Sequence, residues 1–414
     1  MQQRHIHLAT WLRCLALAGL ALLSAAISGC IVIWNDRDTR SAGETLVLGD
    51  RGNDGEQGPA GADGPAGPTG PAGPIGPPGE DTPAGSLILT DSADPPTGFS
   101  HTGIWFEAGD RWTTHGSLMT ARGLTAVAAS NDRLYAFGGT PTMDFDTVLD
   151  SVEAYDPDTN AWTSRASLAV ARGASAAATI DGFIYITGGF DGNTMLAVAE
   201  RYDPATDSYA PVPSMPAPRA GHAAVALNGR LHVFGGAGAG TGAAADHWSY
   251  DPETNAWTTV ASMPTARYFL AGLVAEGRIY AVGGMSVDDN DDLVIHDAVE
   301  VYDPQTDTWS ARAALPSPRA LLTGAVHEGD LYVFGGAIPG LPVAVTTSYR
   351  YRPSEDVWDT RAAIPTWRFS LGGAELDGKL YAVAGVVGND DGSTALTVLE
   401  AYQPGTLLFI HVKN

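Results

Sequence analysis

Cysteine is nearly absent from this 414-residue chain: Cys14 and Cys30 are the only two. A disulfide framework and a Cys-based zinc site are therefore both excluded. Basic residues are scarce as well, 23 Lys and Arg against 47 Asp and Glu, for a formal charge of −24. An acidic surface repels phosphate backbones, so nucleic acid is not an expected partner. His115, His222, His232, His247, His296 and His327 show no metal-ligand spacing and read as surface or satisfied core residues. What is abundant is apolar and small. Hydrophobic residues make up 44%, enough for a core, while 50 Gly and 27 Pro mark part of the chain as loop-rich or fibrous.

The one long apolar run, LALAGLALLSAAI at residues 15–27, is too short for a comfortable membrane span. Arg4 and Arg13 precede it, so the segment reads as a signal peptide, with an uncleaved signal anchor or ordinary secretion as the plainer alternatives to a lipoprotein. Ile27-Ser28-Gly29-Cys30 then resembles the lipobox of bacterial lipoproteins. That resemblance implies cleavage before Cys30 and lipidation of its thiol. It also implies a mature chain anchored in the cell envelope, at the outer membrane or cell surface rather than the inner membrane. Several acyl chains anchor stably where one does not.

Glycine then recurs at every third position from Gly49 to Gly79, with Pro59, Pro65, Pro68, Pro71, Pro74 and Pro77 following glycines. Only Gly fits the crowded axis of a triple helix, so the segment resembles bacterial collagen-like stalks. Two readings follow: a homotrimeric rod, or a solvated polyproline-II linker in a monomer. Either one is an extended spacer, on the order of 100 Å long at ~3 Å per residue.

Residues 112–409 repeat with a period of roughly 50. Each repeat gives an Arg, an Ala/Gly-rich run, a two-residue turn such as Asn228-Gly229, and an apolar strand ending in a small pair such as YVFGG. A second hairpin follows, as in YDPETNAW at residues 250–257. The distance from Arg to the small pair is always 16, from Tyr to the following aromatic 7, and from that aromatic to the next Arg 10. Only the segment between the small pair and the Tyr varies, from 14 to 19. Fixed spacings mark packed elements, so the variable segment is the loop between strands two and three. Antiparallel order places these loops and the repeat arginines at one end, the expected binding face.

These motifs resemble the Kelch repeat. The resemblance implies an all-β, six-bladed Kelch β-propeller behind the short Gly-X-Y stalk. The expected domains are a signal peptide at 1–29, a tether at 30–48, collagen-like repeats at 49–81, a linker at 82–104 and the propeller at 105–414. Ring closure has two contenders: an N-terminal strand around Trp105 to Trp112, which is preferred, and LLFIHVK at 407–413. Phe409 and Tyr209 are read as standing where other repeats have Trp.

The candidate ligand-binding residues are Arg122, Arg172, Arg219, Arg267, Arg319 and Arg368. A guanidinium fork suits an anion or sugar acid, although one Arg per blade also suits an internal pair with the repeat Glu. Tyr268 and Trp367, beside two of these arginines, offer aromatic faces to a sugar or peptide. Asp288, Asp289, Asp291 and Asp292 offer oxygen ligands for Ca²⁺, though without the EF-hand spacing, and a solvated acidic loop is the other reading.

No catalytic residue stands out, so a non-enzymatic binding and display protein for a protein or glycan ligand is the leading reading. The alternative is a sugar-active enzyme, since some Kelch proteins of this blade number are sialic-acid mutarotases. A copper-radical oxidase resembling galactose oxidase needs a Tyr–Cys cross-link, and the repeat region has no Cys.

Overall fold

The computed structural model describes residues 46–48, 87–90, 94–95, 97–142, 146–238, 242–339, 344–389 and 392–414. Cys30, the apolar N-terminal run and the Gly-X-Y segment lie outside the described residues. The described regular structure is all strand. It divides into two units, one on Arg111–Pro404 and one that includes Gly405–Asn414.

The larger unit holds six antiparallel four-stranded sheets, the blades of a propeller. Blade one runs Ala126–Ser130, Arg133–Phe137, Val152–Asp156 and Ala161–Arg165. The turn between its first two strands, Asn131-Asp132, has positive φ at both residues, as a two-residue hairpin on twisted strands requires. Blade six combines Gly372–Leu376, Lys379–Val383 and Leu399–Gln403 with Arg111–Thr114 from the other end of the chain. Trp112 lies opposite Tyr402 there, so the N-terminal strand closes the ring. The six first strands neighbour one another in a closed cycle around the axis.

Two expectations about closure need correcting. Trp105 takes no part in the propeller, because Phe99–Ala108 pairs instead with Thr406–Lys413. Phe409 is thus not the sixth repeat aromatic; Trp112 is. The propeller therefore spans Arg111–Pro404 rather than 105–414. The two segments share a 7-residue aromatic spacing, which hid the break between them.

Strand one is small-residue-rich because strands converge near the axis. A Cβ on Gly372 would lie 2.1 Å from Val127 Cγ2 of the next blade. Farther out, apolar faces interlock between blades. Ala126, Phe137 and Val152 of blade one pack with Ile184, Ile186 and Tyr202 of blade two. Burying each such large side chain stabilises by roughly 1.5–3 kcal/mol.

Three sets of hydrogen bonds join the blades. Innermost is a closed backbone circuit: Leu124 N donates to Ser370 O, Ala174 to Leu124, Gly221 to Ala174, Phe269 to Gly221, Leu321 to Phe269 and Ser370 to Leu321, at 2.7–2.9 Å. All six residues adopt left-handed φ between 50° and 63°. In the second set, the last residue of each small pair donates to the carbonyl of the next repeat Arg, from Gly139 to Arg172 and round to Gly385 and Arg122. Outermost, the strand-four aromatic donates to the connector before its own blade: Trp162 Nε1 to Gly116 O, Trp112 Nε1 to Ala362 O. Tyr209 makes the same bond through its hydroxyl, to Ala166 O at 2.9 Å, so the substitution keeps the tie.

The smaller unit contains one four-stranded sheet, in which Leu46–Leu48 pairs with Leu87–Thr90, that strand with Thr406–Lys413, and the last with Phe99–Ala108. Leu48 lies opposite Leu87, so the residues flanking the Gly-X-Y segment meet.

The small pair gives the first prediction. Gly188 has φ 56°, and a Cβ there would lie 2.4 Å from Arg219 O. Gly188→Ala should cost about 2–3 kcal/mol in denaturant unfolding, through strain and the clash. Ala384 occupies the equivalent position in blade six at φ 56°. Ala384→Gly should be neutral or stabilising by up to about 1 kcal/mol, because left-handed strain on a Cβ residue of roughly 1–2 kcal/mol is relieved.

Candidate binding face

Chain direction fixes which parts of the propeller unit share an end. Strand one starts at the repeat Arg, strand two returns to that end, and strand four finishes there. The loops between strands two and three and the connectors between blades therefore lie on the same end as the arginines. Tight turns such as Asn131-Asp132 occupy the other.

The loop end has its own added structure. The residue after each repeat Arg pairs with the first loop residue: Gly123 with Thr140, Gly173 with Phe190, Tyr268 with Met285, Phe369 with Val386. Blade four extends this into the hairpin Met285–Val287 with Leu293–Ile295, and blade six into Val386–Asn389 with Gly392–Ala395. Leu124, Tyr268, Leu321, Phe369, Met285 and Val386 form a buried apolar cap. Behind it lies an axial cavity of about 200 Å³, lined by the first halves of the six first strands.

The six arginines are internal, which corrects their reading as ligand contacts. Arg122, Arg172, Arg267, Arg319 and Arg368 have no exposed surface, and Arg219 very little. Arg122 bonds Glu153 at 2.5 Å, Arg172 bonds Glu200 at 2.6 Å, Arg267 bonds Glu300 at 2.7 Å and Arg368 bonds Glu400 at 2.5 Å. Arg122, Arg267 and Arg368 also donate to carbonyls of their own blades, Gly138 O, Ala281 O and Ala382 O. Arg122, Arg267 and Arg368 thus tie the start of strand one to strands two and three of their own blades, and Arg172 ties it to strand three. Burial lowers the pKa of Arg122, Arg267 and Arg368, and the neighbouring Glu raises it again. Removing one partner of such a pair leaves a buried charge unpaired, at about 3–5 kcal/mol.

Blades three and five solve the same problem with aromatics. Arg219 lies over Trp248 at 4.7 Å and also pairs with Asp246. Arg319 lies over Tyr349 at 4.6 Å and bonds Thr347 O and Oγ1. The aromatics at the repeat Glu position are therefore cation–π partners of buried arginines.

The other candidates separate. Tyr268 is buried in the cap, and burial pushes its hydroxyl up to about 12. Trp367 is on the surface, 40% exposed. Asp288 is occupied in holding its own turn: its Oδ1 accepts from Asn290 N at 2.8 Å and from Asp292 N at 2.9 Å. Among the described residues no three acidic, His or Cys groups gather as a metal site, so the four aspartates are not brought together.

Two features escaped the sequence reading. Met119 is 54% exposed, Val170 37% and Val287 38%; with Trp367 they put four of the five exposed large apolar side chains among the described residues on the loop end. The four residues before each repeat arginine, such as LMTA, MPAP and IPTW, carry no charge. The loops between the small pairs and the third strands hold twelve Asp and no Glu, Lys or Arg. Those stretches are too short for composition to stand out along the chain.

The second is histidine. His232 Nδ1 lies 2.9 Å from His247 Nε2 inside blade three. Phe234 faces His247 across the strand pair, which makes His232 its diagonal neighbour on the same face. His222 Nε2 meets Thr187 Oγ1 of blade two at 2.9 Å. Burial depresses all three: His222 to about 3 with help from Arg219, His232 to about 4 with Arg230, and His247 to about 3 with His232.

Comparison with known proteins matches the Kelch motif at residues 121–169 and 171–216, and the KLHDC2/KLHL20/DRC7 Kelch-repeats domain at residues 208–336. The chain carries Kelch repeats. One of many solved structures similar to this Kelch propeller is titled "Structure of YjhT", with a TM-score of 0.57. It is 18% identical, over 68% of this chain and 95% of that one, a likeness of fold. No curated protein matches the sequence. A Kelch propeller supports a protein-binding or an enzymatic scaffold.

The buried histidines make the Kelch propeller acid-sensitive. They stay neutral in the fold, so the unfolded chain takes up protons first as pH drops below about 6.5. Stability should fall by about 1.4 kcal/mol per pH unit for each histidine, between 6.5 and the depressed values. Urea unfolding at pH 7.5 and 5.5 measures the slope. His222→Leu, the residue that blades four to six carry at this position, should reduce it by about one such increment.

Proposed function

We propose that this chain is a lipid-anchored display protein of the cell envelope whose propeller binds a protein or glycan through its loop end. The observation that carries the reading is the contrast at that end. The arginines and the repeat glutamates are committed to internal pairs, while loops of variable length and the uncharged residues before each arginine are presented outward. Recognition by a surface fits this arrangement better than turnover in a pocket. The sugar-active alternative needs arginines to hold a carboxylate and a carboxylate to move a proton. Here both are tied to each other in four blades.

The anchor is Cys30, which the lipobox resemblance selects. A trimer through the Gly-X-Y segment would require Leu46–Leu48 to leave Leu87–Thr90, since three parallel chains in a rod part the two ends.

The test is site-specific photo-crosslinking in cells, with benzoylphenylalanine at Val287 and Asn193 on the loop end and at Asp158 and Thr254 on the turn end. Adducts from the loop-end positions alone are expected, and a Cys30→Ala chain should lose the lipid label and the membrane fraction. Adducts from the turn end only, or none from either end together with a measured turnover, would overturn the reading.

A further inference from the structure

We infer that the partner at the loop end is a cationic protein segment bearing an apolar side chain, anchored on Trp367. This rests on the loop-end reading above and narrows it. Five blades place a small or ring-closed residue before the repeat Arg: Ala121, Ala171, Pro218, Ala266 and Pro318. Blade six places Trp367 there, exposed, next to a fully buried Arg368. The indole has no structural duty comparable with Trp112, Trp162 or Trp309, whose Nε1 groups tie blades together. A large exposed indole that breaks repeat symmetry is a natural hot spot.

Its surroundings extend the apolar surface. Met119 and Val170 sit on the next two connectors in ring order, leading to blades one and two, and both are exposed. The three residues therefore follow one arc across blades six, one and two. Exposed prolines continue the uncharged surface on the other connectors, at Pro216, Pro264 and Pro316, and beside Trp367 at Pro365.

Charge selects the occupant. The loops around this arc contribute aspartates and no cation; five of the six repeat arginines are matched by Glu153, Glu200, Asp246, Glu300 and Glu400, and the sixth, Arg319, is buried over Tyr349. The field at this end is negative, so it draws Lys and Arg side chains and repels acidic glycans and anionic lipid surfaces. A cationic side chain also gains by lying over the indole. An apolar neighbour on the same segment covers Met119 and Val170.

The experiment pans a random dodecapeptide phage library on the immobilised full chain, then titrates the enriched peptides at low and high salt. The expected peptides carry net positive charge and at least one large apolar residue. Trp367→Ala should weaken them tenfold or more with unchanged thermal unfolding. Asp150→Asn combined with Asp191→Asn, in the loops of blades one and two, should weaken them severalfold and flatten the salt dependence. Arg133→Ala, near the turn end, should leave binding unaltered. Neutral or acidic peptides that still need the loop end overturn this inference and leave the display reading standing, as does an empty selection beside loop-end crosslinks in cells. Peptides insensitive to Trp367→Ala overturn it as well. Peptides that map to the turn end overturn both.

Discussion

The propeller depends on a closed circuit of six backbone hydrogen bonds around its axis, from Leu124 through Ser370, Leu321, Phe269, Gly221 and Ala174 back to Leu124. Each donor and acceptor belongs to a different blade, so no blade can leave without breaking two bonds. The circuit demands left-handed backbone at all six positions, five of which are not glycine. Strain of that kind, of order 1–3 kcal/mol at each residue, persists only where the surroundings over-determine it. The surroundings here are the buried arginines. Arg122, for example, holds the start of strand one against strands two and three of its blade, and two residues on, the chain enters the circuit at Leu124.

This arrangement separates structure from recognition. A charged residue in every blade looks at first like a ligand ring, and its true work is to fix the inner strand. Four blades answer the guanidinium with Glu and two with an aromatic face, yet all six place the arginine alike. Once these groups are matched internally, the loop end is left with Asp, Pro and a few exposed apolar side chains. Its specificity then resides in what differs between blades, and Trp367 is the largest such difference on a connector.

Much of this was legible in the chain. The invariant 16, 7 and 10 spacings mark the blades, and the single variable segment marks the loop end. The pairing of Arg with the repeat Glu was visible as one of two readings, because the residues recur together. The inner circuit was hidden: left-handed Leu124, Ala174 and Leu321 look like ordinary strand-one residues, and only tertiary closure imposes their φ. The extent of the propeller was hidden too. Trp105 and Phe409 each fall in register with a repeat motif, but their strands pair with one another in the smaller sheet. The stalk was read from its glycines alone. The stalk itself lies outside the described residues.

Hydrogen exchange of the native chain tests the inner circuit most directly. The amides of Leu124, Ala174, Gly221, Phe269, Leu321 and Ser370 should be among the slowest in the protein and should exchange together, through one global opening. Exchange that is fast at one of the six, or that proceeds blade by blade with distinct opening energies, would contradict a closed ring and leave six blades held by the two outer sets of hydrogen bonds and by side-chain packing.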